Sequence, residues 1–399
     1  MRKEGKQMGF EWSFVVLVFI YYIGTVVNSL TRGRINTALV SLILMLIGFW
    51  TQILPDCIIK KADLSGLYAI LNLTILVNVG TTFHIRELKR QWKLLIAAFC
   101  GITGMAVLVL GVGGALFGRE ISFVSFPGLL GGAVAINIMH QAAMEKGLVE
   151  LASLVILIQA AQGLFGIPLI GNGTRMECKR LLKIYRQEKA VIQKTEKSEE
   201  RLKWIDKIPE KYDNPFLHLL LVSFFGAVSV MVASFTEPVT HGIMGMACVG
   251  LLIGIIARHV GVIARDPLRK IGIMPILMFV MITVMRESLV NLSVQDVLKY
   301  LPPLFTMLVL ATCGMGLFGV LAGRKLGYHG GILTAFLFGC FAGYPLDYQV
   351  AMENIQIMAQ TPQEQQFLED QIIPIVIMGS IISVSTTSIV AASIFANLL

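Results

Sequence analysis

Charged side chains are scarce in this chain. Asp, Glu, Lys and Arg make up 15% of its 399 residues, whereas hydrophobic residues make up 55%. Because a soluble domain has about 25% charged residues, this composition excludes an ordinary soluble fold. Apolar runs of about 20 residues recur along the chain, which is the length that an α-helix needs to cross a bilayer. The sequence therefore predicts a membrane protein that crosses the bilayer many times.

The signatures of several other protein classes are also missing. The sequence has no short alternating segments typical of a membrane β-barrel, and its six cysteines show no CxxC or Cys/His spacing, so we expect them to be unpaired. It has no HExxH or GxSxG motif and no phosphate-binding loop. We therefore predict neither an enzyme nor a resident cofactor. The net charge of +8 lies mainly in loops and a central segment, which favours contact with the lipid bilayer and gives no reason to expect nucleic acid as a partner.

Twelve apolar segments flank one long polar stretch, with six on each side. Residues 173–214 contain twelve Lys or Arg and eight Asp or Glu residues. The positive-inside rule places such a stretch in the cytoplasm. We therefore predict a first transmembrane repeat at 1–172, a basic cytoplasmic connector at 173–214 and a second repeat at 215–399. The expected location is the plasma membrane, as a multi-pass protein of the bacterial inner-membrane type.

A five-residue word occurs once in each half. Gln141-Ala-Ala-Met-Glu145 is repeated as Gln349-Val-Ala-Met-Glu353, an offset of 208 positions (349 − 141). Each copy follows a glycine-rich apolar stretch. In membrane proteins, interrupted segments at matching places of two halves indicate the binding site of a transporter.

The orientation of the halves depends on whether the fifth segment of each half crosses the membrane. Either topology leaves 24 of the 33 Lys and Arg residues inside, so charge does not decide. We favour a re-entrant hairpin, because the segment 330–343 has only 14 residues and is followed by Tyr344 and Pro345. The predicted fold is thus an all-α polytopic membrane protein with two inverted repeats of five transmembrane helices, each with a re-entrant hairpin.

Polar residues gather after each glycine-rich stretch. Ionisable groups at membrane depth are costly and typically line a transport path, and a helix N-terminus in a broken segment attracts anions. The predicted substrate-binding residues are Asn137, His140, Gln141, Gly343, Tyr344, Asp347, Gln349 and Asn354. For Glu145 and Glu353 a place in aqueous loops is an equal alternative. Arg286 is expected to mark the interfacial end of its span.

Side-chain oxygens of Asn, Ser and Thr are concentrated in the third and last apolar segments. Such oxygens suit Na⁺, and we predict a sodium site at Asn78, Ser383 and Thr386. Hydrogen bonding between packed helices explains the same residues equally well.

At these positions the chain resembles the bacterial sodium:glutamate symporter family. The resemblance rests on the residues around both hairpins and on the spans beside them: 129–132 through His140, 150–163 and Pro168, 77–80 with Ile85 and Leu88, 275–278, 339–345, Asn354 with Gln356, and 373–376. It implies two inverted five-span repeats, Na⁺-coupled uptake of an acidic amino acid and a homodimer. The chain departs from the family at the first hairpin, where His140 is the one residue kept from a Ser-Gly-Gly-His-Gly-Thr type motif.

The leading hypothesis is therefore a secondary active transporter that performs sodium-coupled symport of glutamate or a related small organic anion or amino acid. One alternative is a proton-coupled or facilitative carrier or exporter of the same fold. A non-transporting membrane sensor or scaffold is the other.

Overall fold

The computed structural model describes residues 9–82, 91–131, 133–195, 208–209, 211–239, 246–286, 290, 294–343, 346–382 and 388–399. Over these residues the chain is all-helical, with 85% helix and no strand. Within the described ranges, five helices are long and apolar enough to cross a membrane: Phe10–Leu30, Trp92–Phe117, Glu150–Gln187, Pro215–Val239 and Leu298–Lys325. The prediction of an all-α protein with membrane-spanning character is confirmed at this level.

The first half contains eight helices among the residues that the structure describes. They are α1 (Phe10–Leu30), α2 (Thr37–Trp50), α3 (Ile58–Lys61), α4 (Leu64–Thr82), α5 (Trp92–Phe117), α6 (Arg119–Leu129), α7 (Ala133–Glu145) and α8 (Val149–Thr195). Within α5, the turns Val107–Gly113 are π-helical.

The second half contains nine helices in the described part of the chain. They are α9 (Pro215–Val239), α10 (Met246–Val260), α11 (Pro267–Lys270), α12 (Met274–Met285), α13 (Val294–Gly314, continued through Met315–Gly319 and Val320–Lys325), α14 (Gly330–Ala342), α15 (Leu346–Met358), α16 (Pro362–Ile382) and α17 (Ser388–Leu398). Within α13, the turns Met315–Gly319 are π-helical.

The two halves have the same order of elements. Each of α1 to α8 has a counterpart in α9 to α16, including the one-turn helices α3 and α11. The π-helical turns begin at Val107 and Met315, which are 208 positions apart (315 − 107), the same offset as between the two Gln-x-Ala-Met-Glu words. π-Helical turns are rare and occur mostly as single insertions, so their recurrence at this offset is strong evidence that the halves correspond.

Both broken segments change direction at a glycine. Gly131 follows α6 with φ of 87°, and Gly343 follows α14 with φ of 73°. This backbone region is sterically open to glycine and closed to most other residues. The glycine-rich stretches of the sequence therefore end helices at corresponding places, and they separate α6 from α7 and α14 from α15.

The helices form two lobes, and each half contributes to both. The first lobe consists of α1–α4 and α9–α12, and the second consists of α5–α8 and α13–α17. Contacts between the lobes are fewer than contacts within them, and α2 provides several of them by touching α8 and α15. The boundary between the lobes is called the seam below.

Helix α8 has 47 residues and crosses the predicted boundary between residues 172 and 173 without a break. Just beyond that boundary Thr174, Glu177 and Cys178 are buried. Gly173 permits this packing, since a Cβ there would lie 2.6 Å from the backbone nitrogen of Ala335 in α14. The start of the predicted connector is therefore a packed part of the second lobe.

Candidate functional site

Two groups of polar side chains lie on the seam. Both involve α15, the helix that contains the second Gln-x-Ala-Met-Glu word. Gln349 and Glu353 face the first lobe at α1 and α2, whereas Tyr348 and Met352 line a cavity beside α11 and α16. We call Gln349, Glu353 and their partners on α1 and α2 the clamp. The ion pairs Arg269–Glu369 and Arg265–Asp370, which border this cavity, are called the ion-pair cluster.

The clamp is centred on the carboxylate of Glu353. Its Oε2 accepts hydrogen bonds from Asn28 Nδ2 at 2.8 Å and from the backbone N–H of Thr37 at 3.1 Å. Its Oε1 accepts a bond from Gln349 Nε2 at 2.8 Å. Thr37 is the first residue of α2, whose N-cap residue Asn36 makes no side-chain capping bond. Glu353, which belongs to the second lobe, thus caps α2 of the first lobe. Its negative charge lies at the positive end of the α2 dipole.

Gln349 connects the clamp to α1. Its Nε2 donates to the hydroxyl oxygen of Tyr21 at 2.7 Å as well as to Glu353. Several buried oxygens around it have no hydrogen-bond partner within the described residues: Asn28 Oδ1, Thr37 Oγ1, Gln349 Oε1 and Asn354 Oδ1. Most buried polar atoms in folded proteins are hydrogen-bonded, so these acceptors without a partner distinguish the clamp from an ordinary packed interface.

A buried arginine lies at the first turn of the same helix α2. Arg286, which is 5% exposed, follows the end of α12. It donates from Nη1 to Ser41 Oγ at 2.9 Å and from Nη2 to the carbonyl oxygen of Ala38 at 2.6 Å. Both partners are neutral, and no carboxylate of the described residues forms an ion pair with this guanidinium. Arg286 thus lies at the end of α12, as expected, and its side chain is buried against α2; its position relative to a membrane interface stays a prediction.

The ion-pair cluster holds α11 against α16 on another part of the seam. Arg269 donates from Nη2 to Glu369 Oε1 at 2.7 Å, and Arg265 pairs with Asp370 at 2.7 Å. These residues border a cavity of about 540 Å³. Because both arginines already have acidic partners, the cluster closes the seam and leaves little free positive charge for an anion.

Asn78 fixes the loop before α11. Its Nδ2 donates to Asp266 Oδ1 at 2.8 Å, and its Oδ1 accepts the backbone N–H of Leu268 at 2.9 Å. Burial raises the pKa of the Asp266 carboxyl above its ordinary value, and the bond from Asn78 opposes that rise. The Asn78 carboxamide is thus engaged on both sides, and Na⁺ at this residue would have to share its oxygen with Leu268. The predicted sodium ligands Ser383 and Thr386 lie outside the described residues.

The predicted substrate residues separate into two regions. In the first half His140 is half-buried and Gln141 is exposed on α7, while the side chain of Asn137 lies outside the described part of the chain. In the second half Gln349 and Asn354 belong to the clamp, and Tyr344 lies outside the described residues.

Asp347 and Gly343 lie at the turn between α14 and α15. Asp347 is fully buried. Its Oδ1 accepts a hydrogen bond from the backbone N–H of Tyr348 at 2.7 Å. Its Oδ2 would lie 3.6 Å from a Cβ added to Gly339. Gly343 and Asp347 are both buried inside the second lobe and do not lie on the seam. The structure therefore groups two of the predicted residues with the clamp and leaves the others apart.

Sequence reasoning missed Tyr21, Asn28, Thr37 and Arg286, and it left Glu353 undecided. One available signal was the offset of 208: Arg286 stands at the position that corresponds to Asn78 (286 − 78). Both residues fasten a helix start in the first lobe, Asn78 at α11 and Arg286 at α2.

No protein-family model and no curated protein sequence matches this chain significantly.

Proposed function

We propose that the chain is a secondary active transporter for a small organic anion, of the type that couples uptake of glutamate or a related amino acid to sodium. In this proposal the two halves are inverted repeats and the broken segments α6–α7 and α14–α15 are re-entrant hairpins. The corresponding order of helices, the paired π-helical turns and the paired glycine breaks support it. Five spans and one hairpin in each half would give the repeats opposite orientations in the membrane.

The observation that carries the proposal is the buried Arg286 with neutral partners. A guanidinium has five N–H donors, and two of its nitrogens donate here to an alcohol and a peptide carbonyl. An arginine inside a membrane protein is costly unless an anion compensates it. A carboxylate is the partner that its planar donors fit best, so the anionic group of a substrate at the seam would complete the site.

Uptake by the purified protein in liposomes tests this function. Labelled L-glutamate and a series of small carboxylic acids are offered with and without an inward sodium gradient. We expect sodium-stimulated uptake of at least one acid by the wild type, strong loss in Arg286→Met and partial recovery in Arg286→Lys, which restores charge without the planar donors. Arg119→Met is the matched control, because Arg119 is exposed at the start of α6.

Other outcomes assign the competing functions. Uptake that is indifferent to sodium but driven by a proton gradient, or by none, favours the proton-coupled or facilitative carrier. Binding of an acid without any uptake, measured as thermal stabilisation, favours a sensor. If no acid is bound or transported, or if Arg286→Met behaves as the wild type, the proposed role of Arg286 is wrong.

A further inference from the structure

Glu353 is placed where its charge state controls a contact between the lobes. Its three hydrogen bonds come from α1, from the N-terminus of α2 and from its own helix. All three groups donate N–H, which suits an ionised carboxylate and not a protonated one. As long as Glu353 is ionised, α15 is bonded to the first lobe through Asn28 and Thr37.

Few charged or titratable groups face this carboxylate. From α1, Tyr21 is bonded to the same Gln349, and it lies close enough to both Glu353 and Arg286 to interact with their charges. The α2 residues that touch it are uncharged. On the other helices that pack against α15, the acidic groups are engaged elsewhere: Glu177 of α8 with Arg180, and Glu369 of α16 with Arg269. Asp347 lies further back on α15, beside Gly339.

The clamp region therefore contains one half-buried carboxylate, Glu353, and one buried cation, Arg286. Glu353 and Arg286 bond to neighbouring residues of the first turn of α2, so a substrate carboxylate at Arg286 would bring a second negative charge close to Glu353. Protonation of one carboxyl group is the usual response when two carboxylates share a site.

We propose that Glu353 takes up one proton when an organic anion binds at the seam, so that the anion moves together with a proton. This inference rests on the proposed function. The proton comes from the aqueous solution on the side from which the anion enters, forms an O–H bond on the Glu353 carboxyl and returns to water on the other side, so that no other bond is made or broken.

The neighbouring carboxamides give the neutral carboxyl a partner. Asn28 and Gln349 donate their N–H groups to Glu353, and their oxygens, Asn28 Oδ1 and Gln349 Oε1, have no partner among the described residues. Rotation of either carboxamide would present an oxygen to the new O–H group. The N–H of Thr37 would then lose its anionic acceptor, and this would release the N-terminus of α2 from α15.

Proton counting by calorimetry tests the inference. Binding of L-glutamate, and of the acids used in the uptake assay, is measured for the full-length protein in buffers that differ in ionisation enthalpy. We expect uptake of one proton per bound acid in the wild type. Glu353→Gln should bind the acid without proton uptake and with an affinity that no longer depends on pH.

Glu145→Gln is the matched control, because Glu145 ends the first copy of the repeated word and is exposed; it should retain wild-type proton uptake. If Glu353→Gln does not fold, Glu353→Asp replaces it, and we expect proton uptake to remain while its pH dependence shifts.

The inference is overturned if the wild type binds an acid without taking up a proton, if Glu353→Gln retains the uptake, or if Glu353→Asp leaves the pH dependence unchanged. In those cases the anion carrier itself still stands. If no acid binds at all, the proposed function fails and this inference fails with it, so the two failures are distinguishable.

Discussion

The two copies of Gln-x-Ala-Met-Glu have opposite surroundings. In α7, Gln141 and Glu145 are exposed, and Lys146 just after them donates to the carbonyl oxygen of Ala396 in α17. In α15, Gln349 is buried and Glu353 is bonded to three N–H groups, two of which belong to the first lobe. The same residues at matching places therefore acquire different roles because only one copy meets a helix N-terminus.

The difference has a direct meaning under the proposed function. A carrier made of two related halves closes its path on one side at a time, so equivalent segments must have unequal contacts in any one state. Here α15 is fastened to the first lobe, and the described residues of α7 show no such bonds. We interpret the structure as a state that is closed at α15.

Chemical labelling gives the largest expected difference between the copies. In a variant whose native cysteines are replaced by serine, Gln141→Cys should react with a maleimide far faster than Gln349→Cys, because Gln349 is 5% exposed. A ratio on the order of a hundredfold corresponds to a local opening free energy of about 3 kcal/mol. Equal rates for the two variants would refute the assigned asymmetry.

Removal of the glutamates should affect stability in only one copy. Glu353→Ala leaves three N–H donors without their acceptor, and we expect a loss of about 2–4 kcal/mol in the free energy of unfolding. Glu145→Ala should stay within about 0.5 kcal/mol, as is usual for exposed positions. Denaturant unfolding in detergent compares them, and similar losses would contradict the clamp.

The glutamines provide a weaker version of the same test. Gln349→Leu removes the bonds to Tyr21 and Glu353 but keeps side-chain volume, so a loss of about 1–2 kcal/mol is expected. Gln141→Leu is the control and should change little. If Gln349→Leu is as stable as the wild type, the link from α15 to α1 contributes nothing to stability.

The smallest effect is expected at an exposed group outside the seam. Lys270 donates a hydrogen bond to Asp213, and His218 Nε2 lies 2.7 Å from Asp213 Oδ1. The bond from Lys270 lowers the pKa of Asp213. Because the pKa of Asp213 is lower in the folded state, the ion pair stabilises the fold at pH values above the pKa of the unfolded state. This stabilisation is lost as the pH falls through the pKa of the folded state. For this solvent-exposed carboxylate we expect less than about 1 kcal/mol.

Asp213→Asn should remove that acid sensitivity and leave the rest of the unfolding profile unchanged. A loss as large as that of Glu353→Ala would show that burial is not what distinguishes the clamp.

The sequence predicts those features that depend on local patterns. Long apolar runs predict the helices, and Gly131 and Gly343 end helices because their backbone needs positive φ. The placement of Arg286 and Glu353 was not predictable in this way. It depends on Ser41 and Thr37, which are more than 240 residues away in the chain, and no local pattern reports such a contact.

The part of α8 beyond residue 172 shows a second limit of prediction from the sequence. Its basic residues predicted an aqueous connector, yet Tyr185 stacks against Phe367 of α16, with ring centroids 4.7 Å apart. An amphipathic helix can pack on its own protein as readily as on a membrane or in water, and charge counting does not distinguish these cases.

Helix α8 also has a mechanical consequence. Its 47 residues make a rod of about 70 Å, more than twice the thickness of the hydrocarbon core of about 30 Å. It touches both hairpin segments near its middle, where Gln162 bonds to Gly128 and Gly173 packs against Ala335, so a small tilt there is magnified along its length. A tilt of about 10° would move the end near Thr195 by about 6 Å if some 35 Å of the rod lies beyond the pivot. A spin label or fluorophore at that end would therefore report rearrangement at the hairpins without touching them.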